Sequence, residues 1–411
     1  MFKKLILNKN RWWFACLLGL MVAACNSKPS QENTNKPTQS ADTNTHAVIN
    51  DTVTEPTPAA ENIDSTAHWT ASILAGLPIS ESSALASFQT AAWNKYRTQA
   101  DSNWAKYNRR QTTKMTKWAD IELANVRSQT HKVFYPFSGP DFLNVNTFFP
   151  EVDTIVMIGL EPLGALPALA AMSPDSANKL YPRVEKSLYS VLSFSFFQTI
   201  SMAKDLKTQE LNGTLPLITL FMARRNQTVV QTRYVHISPE GELQEASDSA
   251  NGGVRGTEII YQNPNTQKKQ VLYYYSVNLV DFKLKQNKTF LAYLDRLGTV
   301  TTYLKSASYL LHKGYFSTVA NVILNHSQFV LQDDSGMPLR HFPASEWDGM
   351  FYGTYDKPID MFARHYQPDL YKAYHPAADS TGQTPHVRKL PFGIGYDWRV
   401  NASNLMLFTK K

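Results

Sequence analysis

Apolar and polar positions follow different rules in successive parts of the chain. From residue 26 to about residue 65 there is hardly a large apolar side chain, only Asn, Thr, Ser, Pro and Ala with scattered charges. Such a stretch cannot bury enough surface to offset its backbone entropy, and a disordered tether is expected. Between residues 80 and 126 few helix breakers occur, and a second regularity emerges. Trp93 and Tyr96 are followed eleven positions later by Trp104 and Tyr107, and eleven later again by Met115 and Trp118. At about 3.67 residues per turn this spacing lines one face of a nearly straight helix. The stripe either grips a sugar, a lipid or a partner helix, or packs on the domain beside it. Burial is the usual fate of large aromatics and is the expectation here.

Beyond residue 131 the apolar runs shorten. Residues 132–137 predict a strand, Ser138-Gly139-Pro140-Asp141 a turn, residues 142–149 a short helix, and residues 154–160 a second strand ending at Glu161-Pro162. Strand, turn, helix, strand is the rhythm of a βαβ unit, which builds parallel sheets. Helix is predicted over 174–206, strands over 215–222 and 233–237, and a hairpin over 256–280 around Asn263-Pro264-Asn265. In its second arm Val271, Tyr273, Tyr275 and Val277 alternate with more polar neighbours. Helix is then expected over 289–325 with breaks near Gly298 and Gly314, and a buried strand over 328–332 running into Asp333-Asp334-Ser335-Gly336. Strands over 350–355 and 405–408 enclose a helix over 359–374. The expected fold is α/β: a mixed, partly parallel central sheet of Rossmann-like character, with flanking helices, an inserted β-hairpin region and a long N-terminal helix. Residues 66–130 form the helical arm and residues 131–411 a single large domain.

Composition narrows the chemistry more than the fold. Hydrophobic residues make up 43% and charged residues 18% of the 411, an ordinary globular balance that permits a sizeable core. The net charge of +7 comes from 41 basic and 34 acidic residues spread without a long like-charge run, so no nucleic-acid partner is expected. The two cysteines are Cys16 and Cys25.

Both cysteines fall in an N-terminal segment with its own logic. Lys3, Lys4, Lys9 and Arg11 precede an uncharged apolar stretch from Trp12 to Ala24, too short to span a bilayer. That order predicts a secretory signal over residues 1–24. Val22-Ala23-Ala24-Cys25 resembles the lipobox of bacterial lipoproteins, with Val22 where Leu is usual. The resemblance implies cleavage before Cys25, acylation of its sulfur, and a mature chain starting with a lipidated residue and the 25–65 tether. It further implies attachment to a membrane outside the cytoplasm. Asn26, in place of the aspartate that favours retention at the inner membrane, points to the outer membrane. A mature body without thiols excludes cysteine nucleophiles, zinc ribbons and iron–sulfur clusters.

Three constellations could carry function. Asp141, Glu161, Asp333 and Asp334 follow predicted strands, and ligands of open α/β sheets sit beyond strand carboxyl ends. Converging there, they would suit general acid–base chemistry or a divalent cation; otherwise they cap helices and turns. The turn Tyr135-Pro136-Phe137-Ser138-Gly139-Pro140-Asp141 resembles the nucleotide-binding half of Rossmann-like folds, including methyltransferases. It has one glycine, however, and Pro140 lacks the N–H a phosphate loop would use. Outside the cytoplasm no nucleotide pool is maintained, so no cofactor is expected. Ser138 lacks the small neighbours of a nucleophile elbow, since Pro136 and Pro140 flank it. It remains a candidate binding residue, as do Tyr352, Tyr396 and Trp398 from the glycine- and aromatic-rich C-terminal cluster. The histidines are scattered without metal-site spacing, and only His341 lies near the Asp333-Asp334 pair.

The first functional expectation is a lipid-anchored binding or structural protein of the envelope, with a glycan or protein partner. The alternative is a cofactor-independent or cation-assisted hydrolase acting on an envelope or extracellular substrate through the four carboxylates. For the anchor, Cys25→Ser is expected to abolish incorporation of radiolabelled palmitate and to release the protein from membranes or leave it uncleaved. Intact-mass analysis of a mature wild-type product with an unmodified first residue would overturn that expectation.

Overall fold

The computed structural model describes residues 65–194, 212–246, 254–376 and 387–411. The leader, Cys25 and the tether therefore lie outside the described residues. In chain order the strands are β1 (Lys132–Pro136), β2 (Thr154–Gly159), β3 (Thr228–Ile237), β4 (Leu243–Glu245), β5 (Val254–Gln262), β6 (Lys269–Ser276), β7 (Val300–Leu304), β8 (Ser327–Gln332), β9 (Trp347–Gly353), β10 (Val387–Arg388) and β11 (Asn404–Lys410). They form one sheet in the order β10-β9-β11-β8-β7-β1-β2-β6-β5-β3-β4.

Its centre consists of five parallel strands, β6-β2-β1-β7-β8. Numbered along the chain, that order is third, second, first, fourth, fifth. This is the winding of a Rossmann-like sheet, and its direction reverses between β1 and β7. Antiparallel strands extend both flanks: β5, β3 and β4 beyond β6, and β11 beyond β8. β11 is inserted between β8 and β9, antiparallel to both. The mixed sheet, the hairpin of β5 and β6, and the flanking helices match the expected architecture.

Both faces of the central strands are covered, which explains why those strands read as continuous apolar runs. Val133 and Tyr135 of β1 and Ile155 and Met157 of β2 join the hydrophobic core on one face. Phe134, Val156 and Ile158 join the core on the other. The first face is closed by α1 (Ser65–Leu74), α2 (Ala91–Tyr107), α3 (Thr113–Glu122) and α4 (Ala124–Gln129), all within the compact unit Ile63–Lys411. Thr90 caps α2 by accepting the Trp93 N–H at 3.1 Å. A π-helical turn at Asn108–Thr112 joins α2 to α3. All six stripe residues are buried, from Trp93 at 1% to Tyr96 at 6% exposed. Trp104 meets Phe221 edge-on at 6.0 Å, while Trp118 meets Phe148, Tyr352 and Phe392 at 5.9, 4.9 and 5.5 Å. The stripe is core, not a gripping surface.

Three elements differ from expectation. Residues 215–222 are not a strand: after α5 (Phe142–Phe148), α6 (Pro174–Ala177) and α7 (Leu180–Phe194), they belong to α8 (Leu215–Arg224). Every residue from Leu215 to Ala223 is buried, and a helix apolar all round has no periodicity to distinguish it from a buried strand. The expected helix over 289–325 is interrupted by β7. Around that strand stand α9 (Asp281–Gln286), α10 (Lys288–Asp295) and α11 (Ser317–His326). Val300-Thr301-Thr302-Tyr303-Leu304 is buried throughout and rich in β-branched and aromatic residues, which suit a doubly covered strand. Of the expected helix over 359–374, Asp360–His365 is a 3-10 segment and only α12 (Pro368–Tyr374) is α-helical. Residues 195–206 of the helix expected over 174–206 lie outside the described residues. No described helix is long and apolar enough to cross a membrane.

Candidate functional site

Where the winding reverses, the loops after β1 and β7 meet, Lys305 of one pairing with Asp141 of the other; ligands of such sheets usually sit at this position. Backbone strain concentrates there. Of six described non-glycine residues with positive φ, four lie in these two loops: Phe137 (63°), Ser306 (54°), Ser308 (55°) and Tyr309 (53°). Left-handed conformations of bulky residues persist only where surrounding contacts impose them, and they gather at functional sites.

The imposing contacts are ionic and hydrogen-bonded. Asp141 caps α5, accepting the Asn144 N–H at 3.3 Å and its side-chain amide at 2.8 Å. It also accepts the Tyr135 hydroxyl at 2.9 Å and pairs with Lys305 Nζ at 2.6 Å. These two charged side chains are 1% and 3% exposed, so the pair is fully desolvated. Burial first, then the Asp141 charge, holds the Tyr135 phenol well above its ordinary pKa and keeps it a donor. Lys305 escaped sequence reasoning because the strand preceding it was read as helix; its β-branched run, Val300-Thr301-Thr302, was the available signal.

Asp333 holds the β7 loop from the neighbouring strand. Its carboxylate accepts the Ser306 N–H at 2.8 Å, the Ser335 N–H at 3.0 Å and the Ser335 hydroxyl. Burial raises its pKa against these bonds and the nearby Lys305 charge. Gly395, at φ +72°, passes so close that a Cβ there would lie 2.3 Å from Asp333 Oδ2. Asp334 accepts the Tyr309 hydroxyl and the Asn404 amide, the latter at 3.1 Å. Burial, then the Asp333 charge, pushes the Asp334 carboxyl up to about 7. Around Tyr309 stand two residues that sequence reasoning passed over, His365 stacked at 5.1 Å and His312 edge-on at 5.1 Å. Burial first, then His365, pushes His312 down to about 3, so it stays neutral.

Glu161 lies on the opposite side of the β1 loop, over Gly139 and Gly159. It is 4% exposed. Oε2 accepts the Leu160 N–H at 3.1 Å and the Tyr274 hydroxyl at 3.4 Å. Among the described residues Oε1 accepts nothing, and no cation pairs with this carboxylate.

All four candidate carboxylates thus occupy one edge of the sheet, three of them joined through the β7 loop and Glu161 beside them. Three are engaged by protein donors in the manner of structural caps. No group of three or more His, Cys, Asp or Glu among the described residues could hold a metal ion. The remaining candidates disperse. Ser138 donates to the backbone carbonyls of Gly139 and Ile158 at 2.9 and 3.2 Å. Tyr352 is buried in the core of the helical arm and donates to Glu122 at 3.1 Å. Tyr396 joins the site, its hydroxyl donating to the Ser306 carbonyl at 2.9 Å and meeting the Ser308 hydroxyl at 2.7 Å. Trp398 lies under the Arg399 guanidinium at 5.9 Å. His341 ends a 3-10 turn, half-buried, its pKa lowered by burial and by Arg340. No protein-family model, curated protein or solved structure matches this chain.

Two predictions concern this framework. Asp141→Asn and Lys305→Met are each expected to cost about 3–5 kcal/mol in chemical denaturation, and the double variant clearly less than their sum. Additive costs would show that the pair is not coupled. For Asp334, the folded pKa of about 7 lies above the ordinary 3.8, so the folded state keeps a proton the unfolded state has released. Its stabilising contribution is complete below pH 3.8 and lost as pH rises to about 7, with a slope of up to about 1.4 kcal/mol per pH unit. Unfolding midpoints measured between these limits are expected to lose that slope in Asp334→Asn.

Proposed function

We propose that this chain is an exported lipoprotein, anchored through Cys25 and held at the outer membrane, whose body binds a hydroxyl-rich ligand of the envelope-glycan class. The ligand would sit at the sheet edge beyond β1 and β2. The observation that carries the reading is Glu161: a buried carboxylate with one oxygen unengaged and no cation beside it among the described residues. That oxygen is not among the fully buried, partnerless atoms, so it stays within reach of a ligand, and a sugar diol supplies two O–H donors at once. A phosphate is a poorer match. The amino end of α5, where a phosphate would rest in this fold, already holds the Asp141 carboxylate, and Pro140 offers no N–H.

Calorimetric titration with neutral envelope-derived oligosaccharides tests this. Wild type is expected to bind, and Glu161→Gln to bind about 10- to 100-fold more weakly, the worth of hydrogen bonds to a charged acceptor. Equal affinities, or no binding by wild type, would refute the reading.

One observation favours the hydrolase alternative, namely the Asp334 carboxyl at about 7 beside Asp333, which suits a general acid at neutral pH. Release of new reducing ends from the same oligosaccharides, lost in Asp334→Asn, would move the assignment there.

A further inference from the structure

A second feature opens on the same edge, beyond the carboxyl end of β6. A cleft of about 440 Å³ lies there between the start of β5 and α9, within the range of small-molecule sites. Its polar lining is one-sided. Arg255 and Lys283 line it, both exposed and neither ion-paired to a described residue. Asn278 and Asn287 line it too, and each has its side-chain oxygen engaged: Asn278 Oδ1 accepts the Val280 N–H at 3.0 Å, and Asn287 Oδ1 accepts the Phe290 N–H at 3.1 Å. Their NH2 groups, which are donors only, donate to no described residue. Ser276 adds a hydroxyl, and among the described residues no carboxylate lines the cleft. Leu163 contributes an apolar wall, and the Phe282 ring, 66% exposed, stands 5.4 Å from the Lys283 ammonium.

We propose that this cleft binds the anionic group of a small organic ligand, a carboxylate or a phosphate monoester. Two cations and two amide groups lining one space, with no acid among the described residues between them, complement several anionic oxygens at once and repel a cation. The site does not depend on Glu161 binding hydroxyls. It does border that residue's loop, since Ser276 lies opposite Gly159 in the sheet register and its Oγ is 3.5 Å from the Leu160 carbonyl.

The test is calorimetric titration of the protein at low ionic strength with glucuronate and glycerol 3-phosphate, and with glucose and glycerol as their neutral counterparts. At least one anion is expected to bind while its counterpart does not; which one binds separates a sugar-acid source from a phosphoryl source. Arg255→Ala and Lys283→Ala, both surface changes compatible with folding, are each expected to weaken that binding at least about tenfold. Glu161→Gln is expected to leave it unchanged, so failure here and failure of the glycan reading are distinguishable. Absence of binding by either anion at about 10 mM would overturn the proposal, as would equal binding of a neutral counterpart or wild-type affinity in both cation variants.

Discussion

The ion pair between Lys305 and Asp141 is the constraint on which the middle of this molecule depends. It joins the first residue after β7 to the cap of the helix after β1, across the line where the sheet reverses its winding. Two side chains this deeply buried have no water to fall back on, so removing either partner leaves the other without its strongest contact. The left-handed residues on both sides of the pair follow from it. Phe137 must turn sharply for Asp141 to reach its place, and Ser306, Ser308 and Tyr309 must coil so that Asp333 and Asp334 can hold them. Three of the four edge carboxylates are thereby spent on architecture. Glu161 alone keeps an oxygen unengaged among the described residues, which is why the proposed binding role falls to it.

The same edge then divides electrically. Near β1 and β2 it presents an acid, and a strand further along, beyond β6, it presents cations and amide donors. One bound molecule with hydroxyls at one end and an acidic group at the other would satisfy both, although each half has its own chemistry.

Much of this was legible in the residues, and the failures share one cause. The aromatic stripe could be read because an eleven-residue period is peculiar to a helix with one buried face. The hairpin of β5 and β6 could be read because Asn263-Pro264-Asn265 is a turn signal between two runs rich in β-branched and aromatic residues. β7 and α8 could not, because elements covered on every side carry no alternation at all: Val300 to Leu304 and Leu215 to Ala223 are apolar or small wherever they look. Missing β7 hid Lys305, and without Lys305 the strand-end acids resembled a catalytic cluster more than an ion-paired brace. The histidines around Tyr309 left no trace in spacing either, since His312 and His365 come from separate turns.

The position of β11 has a consequence for how the chain reaches this state. Both of its neighbours, β8 and β9, precede it in sequence, yet in the sheet they are joined only through it. For a polypeptide delivered amino end first, β9 and β10 can pack on the helical arm, where Tyr352 and Arg388 both meet Glu122, but they join the sheet only when residues 404–410 arrive. Until then β8 offers an open edge, the kind that recruits foreign strands. Incorporation of that flank into the sheet is thus timed by β11, and the length of chain between β9 and β11 sets how long the β8 edge stays uncovered.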